Sequence, residues 1–119
     1  MRDCVFCKIA KKELTAAIIF EDEDCFAFAP LNPITEGHIL IAPKKHFQDI
    51  FDIDTNTLTK ITAIAQKIGR EFIEEKRATG INLLHASGKD AQQSVFHFHL
   101  HLVPRRPNDG LDLWFRNKF

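Results

Sequence analysis

Three histidines separated by single apolar residues stand out chemically in this 119-residue chain. They lie in residues 95–103, which read Val-Phe-His-Phe-His-Leu-His-Leu-Val. Because side chains alternate between the two faces of a β-strand, this pattern predicts a strand with all three imidazoles on one face. The opposite face carries Phe96, Phe98, Leu100 and Leu102 and is expected to pack into the core. The three histidines, His97, His99 and His101, are called the triad below.

A row of histidines supports two kinds of chemistry. Three neutral imidazoles can bind a catalytic zinc ion that keeps one position open for water. Alternatively, one imidazole attacks phosphorus while its neighbours orient it and bind oxyanions. The ordinary pKa of imidazole is about 6.5, so the ring is largely neutral and nucleophilic at pH 7. The spacing leaves both alternatives open, but it favours a functional role because Thr or Val would serve a purely structural strand better.

A second reactive pair is formed by Cys4 and Cys7, which are separated by two residues. In a reducing compartment this spacing indicates metal binding or redox chemistry more than a structural disulfide. The third cysteine, Cys25, lies in an apolar run and is expected to be a buried, inert thiol. The N-terminal residues lack the pattern of a signal peptide, and the longest apolar runs are far shorter than a membrane span. We therefore expect a cytoplasmic protein without membrane contact.

The rest of the pattern predicts the elements that must position these residues. Residues 4–12 favour a short helix or turn around the cysteine pair. Strands are predicted over Ala17–Glu21 and Cys25–Ala29, joined by a polar turn, and further strands over residues 38–42, 81–84 and 95–103. The intervening residues 30–37 and 87–93 contain turn-forming residues and are predicted to be loops.

One long helix is predicted to begin at Asp54 or Thr55, both of which are good N-cap residues, and to stop at Gly80. Apolar residues recur along it at steps of three and four and form a single stripe. Strands outnumber long helices and have short connections, so the sequence predicts one α+β domain over residues 1–119. Its sheet is expected to be mostly antiparallel, with the helix on one face. The stripe is Leu58, Ile61, Ile64, Ala65, Ile68 and Phe72.

The charge balance argues against two kinds of partner. Lys and Arg together number 16, as do Asp and Glu, so the formal net charge is zero. This balance argues against broad electrostatic binding to nucleic acid or to a membrane surface. A small anionic ligand held by a few local donors remains compatible with it.

Several motifs together resemble the histidine-triad (HIT) family. Residues 97–103 match its signature of three histidines alternating with apolar residues, and Gln93-Ser94-Val95 resembles the stretch that precedes it. Residues 37–46, which end in Pro-Lys-Lys-His, resemble the family's strand and turn, and residues 19–28 resemble its first hairpin. The resemblance covers nearly the whole chain and is nearest to the nucleoside phosphoramidase branch and its zinc-binding bacterial relatives. It implies a five-stranded antiparallel sheet, one long helix and a homodimer.

The resemblance also implies a mechanism. His99 would attack the α-phosphorus of a purine nucleotide and form a nucleotidyl-histidine intermediate, which water would hydrolyse to the nucleoside monophosphate. His101 would hydrogen-bond a phosphoryl oxygen, and His38 would help to order the histidines. Gln93 and Ser94 would bind phosphate oxygens or assist the leaving group. Fixed donors of this kind stabilise the charge that develops on phosphoryl oxygens.

For the cysteine pair, the resemblance implies a structural zinc site. Zinc-binding bacterial members of the family complete the site with a histidine after the Pro-Lys-Lys turn and with the first triad histidine. A closed site of two thiolates and two imidazoles is typical of structural zinc. This assignment leaves His99 and His101 free for chemistry. The four implied ligands are Cys4, Cys7, His46 and His97.

The chain departs from the family pattern at three positions. Pro30 stands where the acid that binds ribose is usual, Ala86 where many members have Asn or Gln, and Gln92 where a Gly is usual. These departures leave the nucleophile intact but affect recognition of the nucleoside, and Asn32 is a candidate to replace the missing ribose contact.

Four functions follow from these observations. The leading one is a hydrolase that releases a nucleoside monophosphate from a phosphoramidate or phosphoanhydride leaving group. The alternatives are a dinucleoside-polyphosphate hydrolase, a non-catalytic nucleotide-binding scaffold, and a zinc hydrolase that uses the triad as ligands. The central histidine argues against the scaffold, which has no need of it.

Overall fold

The computed structural model describes residues 3–116, so the domain predicted over residues 1–119 extends beyond the described range at both ends. The elements are α1 (Val5–Ala10), β1 (Ala17–Glu21), β2 (Cys25–Ala29), β3 (Ile39–Pro43), α2 (Thr55–Glu74), β4 (Gly80–Leu84), a 3₁₀ turn (Lys89–Ala91) and β5 (Leu100–Arg105). All the strand pairs are antiparallel. They form one five-stranded sheet in the order β1-β2-β3-β5-β4. The predicted fold class is confirmed. No helix within residues 3–116 has the length and apolar character needed to cross a bilayer.

The first hairpin forms where the sequence predicts it. Asp22 closes the turn because its Oδ1 atom accepts the backbone N–H groups of Asp24, at 2.8 Å, and Cys25, at 2.7 Å. A short carboxylate side chain that binds the backbone two and three residues ahead is a strong turn former. The two strands therefore begin and end at the predicted residues.

Helix α2 begins as predicted but ends earlier than predicted. Asp54 is its N-cap and accepts the N–H of Thr57 at 3.3 Å. The helix ends at Glu74 rather than at Gly80, because Lys76 adopts a left-handed conformation with φ of 58°. Around it, Lys76 N–H donates to the Ile73 carbonyl and Arg77 N–H to the Phe72 carbonyl, which is the hydrogen-bond pattern of a Schellman motif. Gly80 instead begins β4.

The apolar stripe of α2 packs on one face of the sheet. Strands β2 and β3 alternate strictly: their odd-numbered residues face α2 and their even-numbered residues face α1. This is the period expected of strands with both faces covered. The α2 face includes Cys25, Ala27, Ile39, Ile41, Ile61 and Ile64, and the α1 face includes Phe6, Ile9, Phe26, Phe28, Leu40 and Ala42.

The histidine segment is only partly a strand. Strand β5 starts at Leu100, so His97 and His99 precede it, whereas a strand was predicted over residues 95–103. The chain here is tied to the loop after β3, because the Phe98 N–H donates to the Phe47 carbonyl at 2.6 Å. The apolar alternation is also incomplete: Phe98 and Leu102 are buried on the α2 face, but Phe96 is 45% exposed.

Candidate active site and metal centre

The triad occupies the α1 face of the sheet. His101 is the register partner of Leu40, and directly opposed residues of antiparallel strands share a face. The His99 ring packs edge-on against the His101 ring, with centroids 5.0 Å apart. His97 and His99 are buried. The three imidazoles therefore lie on one side, as predicted, although only His101 lies in a strand.

The orientation of His99 is fixed by a single hydrogen bond to the backbone. Its Nδ1 lies 2.8 Å from the carbonyl oxygen of His97, which can only accept, so Nδ1 carries the proton. The other ring nitrogen, Nε2, then holds the free lone pair. Burial lowers the pKa of His99, so the ring is neutral at pH 7. A neutral imidazole with one defined lone pair is what nucleophilic attack requires.

His38 and His101 form a hydrogen-bonded relay. His38 lies just before β3, where Gly37 turns the chain with φ of +86°. Any other residue at position 37 would place its Cβ atom 2.9 Å from the Phe72 ring. Nδ1 of His38 accepts the N–H of Ile34 at 3.2 Å, so its Nε2 carries the proton and donates to Nδ1 of His101 at 2.9 Å. His101 is consequently protonated on Nε2. Burial is the main cause that lowers the pKa of His101 to about 4, so that proton is a donor on a neutral ring.

The two cysteines and two further histidines converge at the N-terminus of α1. Cys4 Sγ lies 3.3 Å from Nδ1 of His97, and Cys7 Sγ lies 3.3 Å from Nδ1 of His46. All four potential ligand atoms lie within 4.8 Å of one another. Tetrahedral zinc with ordinary bond lengths holds sulfur and nitrogen ligands about 3.5 Å apart. The four residues expected to bind zinc therefore lie together, and the distances between their sulfur and nitrogen atoms fit a zinc ion. This group, Cys4, Cys7, His46 and His97, is called the Cys/His cluster below.

The protonation states in the cluster also fit a metal. Nε2 of His97 donates to the Pro43 carbonyl at 2.7 Å, so the Nδ1 lone pair points at the cysteines. Metal-binding histidines are ordinarily oriented by such a bond. Burial, the largest cause, and the neighbouring Cys4 raise the pKa of Cys7 to about 11, so without a cation this residue is a neutral thiol. A divalent cation would supply the positive charge that favours the thiolate.

The residues predicted to bind the phosphate or the nucleoside differ in exposure and in hydrogen bonding. Both amide hydrogens of Gln93 are used within the protein, by the carbonyls of Gln48 at 2.7 Å and Val95 at 3.1 Å. Its Oε1 accepts the N–H of Gly88 at 2.8 Å. The Gln93 side chain thus braces the loop, and its role toward phosphate oxygens or the leaving group stays a prediction. Ser94 and Asn32 are exposed, and within residues 3–116 neither is hydrogen-bonded to the triad.

Two contacts of His99 were not predicted from the sequence. Phe6 packs edge-on against His99, with ring centroids 5.0 Å apart. His85 stacks on Phe98 with centroids 4.5 Å apart, and its Nδ1 donates to the His99 carbonyl at 2.9 Å. Ser87 hydrogen-bonds the other ring nitrogen of His85. The position of Phe6 between the two cysteines was the feature that could have identified it, because ligands on both sides fix its place.

The comparisons with known proteins identify the family. The model of the HIT domain matches residues 11–108, and the chain belongs to the HIT family. It is 38% identical to an uncharacterized HIT-like protein of Borreliella burgdorferi over 99% of this chain and 86% of that protein. It is similar to the structure of a zinc-bound histidine triad family protein from Mycobacterium smegmatis, with 40% identity and a TM-score of 0.89 over 94% of this chain and 81% of that one.

A plant relative is named for an activity. The chain is 32% identical to the adenylylsulfatase HINT3 of Arabidopsis thaliana over 92% of its own length. It spans 55% of that protein, so it corresponds to about half of it.

Proposed function

We propose that this protein is a nucleotidyl hydrolase in which His99 attacks the α-phosphorus of a purine nucleotide. The observation that carries the proposal is the bond from His99 Nδ1–H to the His97 carbonyl, which leaves one lone pair on a neutral, buried ring. A non-catalytic scaffold has no need of a nucleophile with a defined tautomer. The alternative of a zinc hydrolase, in which the triad holds a catalytic zinc ion, loses support because Nδ1 of His97 faces the cysteines.

The reaction proceeds in two displacements. Nε2 of His99 forms a bond to phosphorus while the bond from phosphorus to the leaving group breaks, and the leaving group departs with the electron pair and takes up a proton. Water then attacks phosphorus on the nucleotidyl-histidine and loses a proton. The bond from Nε2 to phosphorus breaks, which returns the neutral imidazole and releases the nucleoside monophosphate.

The surrounding donors stabilise the charge on the phosphoryl oxygens. His101 carries its proton on Nε2 and holds it through the bond to His38, so it presents a fixed donor beside His99. Preorganised donors of this kind lower the barrier because they need no reorientation as charge develops. The exposed Ser94 hydroxyl supplies a further donor, while Gln93 holds the loop that carries Ser94.

The leaving group is proposed to be an amine or an acidic oxyanion. A phosphoramidate fits the branch that the sequence resembles, and the relative named adenylylsulfatase favours adenosine 5′-phosphosulfate as a second substrate. A dinucleoside polyphosphate is the alternative leaving-group class. Asn32 replaces the ribose contact that Pro30 cannot make, since it lies in the loop that follows β2.

The Cys/His cluster is proposed to hold a structural zinc ion. The residues present supply two sulfur and two nitrogen ligands, which complete a tetrahedral shell without an open position. Cys4 and Cys7 must remain reduced to serve as ligands, which favours the cytoplasm as the working compartment. The ion would tie α1 to the segments that carry His46 and His97.

The functional unit is proposed to be a homodimer of single-domain chains, formed by the α2 and β4 side. A shallow, mostly apolar groove of about 920 Å³ lies there, and neither the triad nor the cluster lines it. Ile73 and Leu83 at this groove are both more than 40% exposed. Strand β4 is at the edge of the sheet, where unpaired backbone groups favour pairing with a second strand.

The proposed activity is tested with adenosine 5′-phosphoramidate and, in parallel, adenosine 5′-phosphosulfate. The native protein is expected to release AMP, and His99→Ala is expected to lose at least about 10⁴-fold in kcat/KM, as is typical when a nucleophile is removed. Mass spectrometry of acid-free quenched samples should find AMP attached to a peptide containing His99. Asn56→Ala, an exposed change in the first turn of α2, is the control for folding and purity.

Absence of AMP release from both substrates with a folded native protein would contradict these leaving groups, and a dinucleoside polyphosphate would be tested next. Equal rates for the native protein and His99→Ala would contradict the role of His99.

A further inference from the structure

The cluster and the triad share a residue. The imidazole of His97 belongs to the Cys/His cluster, and its backbone carbonyl accepts the Nδ1–H of His99 at 2.8 Å. Anything that fixes or releases the His97 residue therefore acts on the hydrogen bond that defines the tautomer of His99. This is the first of two physical links between the two sites.

The second link is the ring of Phe6. Phe6 lies between Cys4 and Cys7 and is 6% exposed. Its ring packs edge-on against His97, with centroids 5.7 Å apart, and against His99, with centroids 5.0 Å apart. Both interplanar angles, 69° and 86°, are those of edge-to-face aromatic contacts, which are directional. The chain segment that supplies two ligands thus also supplies a wall of the nucleophile's site.

Helix α1 depends on other parts of the molecule to keep Phe6 in place. It has six residues, which is far too short for an independently stable helix. Its N-cap is Cys4, whose Sγ accepts the N–H of Cys7 at 3.4 Å. Among residues 3–116, apolar packing of Phe6 and Ile9 on the sheet and the Cys/His cluster both restrain this helix.

We propose that Phe6 is a positioning residue for His99, and that metal binding at the Cys/His cluster favours the His99 orientation in which Nε2 is the free nitrogen. The proposal rests on the proposed role of His99 as nucleophile. Binding at two coupled sites is reciprocal, so loosening the Phe6 contact must also weaken metal binding. The chain's own residues, Phe6 and the His97 carbonyl, carry the coupling.

The first experiment compares the zinc-loaded and chelated native protein without any substrate. Long-range ¹⁵N–¹H spectra of the histidine rings report which nitrogen of each ring carries the proton. With zinc, His99 is expected to be a single Nδ1–H tautomer. After chelation, its two tautomers are expected to exchange, while His38 and His101, whose tautomers are fixed by their mutual hydrogen bond, keep them and serve as the internal control.

The second experiment keeps zinc bound and changes the contact. Phe6→Leu is expected to retain one zinc ion per chain, to show mixed His99 tautomers, and to bind zinc about tenfold more weakly, which is an ordinary coupling. Val5→Ala truncates the exposed neighbour in the same helix and is expected to match the native protein in both readouts. Because chelation and substitution perturb the protein independently, failure of one form to fold leaves the other arm decisive.

The result that would overturn the proposal is an unchanged His99 tautomer in the chelated protein and in Phe6→Leu, with native zinc affinity. These readouts are separate from AMP release. Coupled tautomers without AMP release would contradict the proposed hydrolase but not the coupling. AMP release with an uncoupled His99 would contradict the coupling but not the hydrolase.

Discussion

The two faces of the sheet are built by different rules. The face under α2 is apolar throughout and is covered by a helix of 20 residues whose buried side chains recur at the helical period. The face under α1 is covered by a helix of six residues, and it carries the buried rings of His97 and His99 beside its apolar residues. Both faces therefore gain stability from apolar burial, but the α1 face must also satisfy buried polar groups.

On the α1 face, that satisfaction is complete within the described residues. Buried side-chain nitrogen and oxygen atoms in residues 3–116 all have hydrogen-bond partners. Each triad imidazole has one nitrogen engaged: His97 with Pro43, His99 with the His97 carbonyl, and His101 with His38. A buried polar group without a partner lowers the stability of the folded state, and these hydrogen bonds remove that penalty on the histidine face. They also leave Nε2 of His99 and of His101 available, whereas Nδ1 of His97 faces Cys4 and Cys7.

The largest effect on stability is expected from a substitution on the α2 face. Ile61 is fully buried, and Ile61→Ala is expected to lower the free energy of unfolding by roughly 2–5 kcal/mol because it leaves a cavity. Urea unfolding measures the loss, and AMP release per folded molecule should stay within twofold of native. Asn56→Ala, at the exposed start of the same helix, is the control and should change stability by less than about 0.5 kcal/mol. A large loss of specific activity in folded Ile61→Ala would show that the faces are not separable.

The outer side of α2 and β4 is expected to show the next largest effect. Leu83→Glu places a charge in the proposed dimer interface and should raise the dissociation constant about 100-fold, or about 2.7 kcal/mol. Sedimentation equilibrium over a concentration series measures this shift. Asn56→Glu adds the same charge at the exposed start of α2 and should leave assembly unchanged. A native protein that stays monomeric at high micromolar concentration would refute the dimer.

The smallest effect concerns pH and the histidine face. Burial lowers the pKa of His101 from its ordinary value to about 4, so the unfolded chain binds a proton that the native chain does not between pH 6.5 and 4. The free energy of unfolding should therefore fall as pH falls through this window, and the contribution of His101 should be present in full above pH 6.5. Because the ring is part exposed, this contribution is on the order of 1–2 kcal/mol.

Stability curves of the native protein and His101→Gln between pH 7.5 and 4 isolate that contribution. The variant removes the titrating ring but keeps a side chain that can bond His38. Its stability should therefore depend less steeply on pH than that of the native protein. Parallel curves for the two proteins would mean that His101 does not titrate differently in the folded and unfolded chains.

Local patterns were sufficient to predict the fold because each element is specified by nearby residues. The side chains of Asp22 and Asp54 close the hairpin turn and cap α2. The turn and the start of the helix could therefore be predicted from the local sequence. The end of α2 could not be read in this way. A lysine takes the left-handed position in which glycine is usual, and Gly80 lies beyond it in a strand.

The candidate site was partly predictable from the sequence. The alternation of the triad and the spacing of Cys4 and Cys7 are visible in the sequence, whereas the choice of His46 depended on resemblance to a family. The ties that hold residues 95–99 to the loop after β3 involve backbone carbonyls distant in sequence, so the predicted strand was too long. The contacts of Gln93 also depend on tertiary structure. Its amide hydrogens are donated to the carbonyls of Gln48 and Val95.

The sequence by itself determined the order and type of the elements, the two faces of the sheet and the set of reactive side chains, because periodicity and capping act over a few residues. Only the tertiary structure decided which nitrogen of each triad histidine carries the proton. That choice depends on carbonyls, amides and rings brought from β3, α1 and the loops to within hydrogen-bond distance. A proton can occupy either nitrogen of an imidazole at similar cost in water, and a single fixed partner in the folded chain selects one of them.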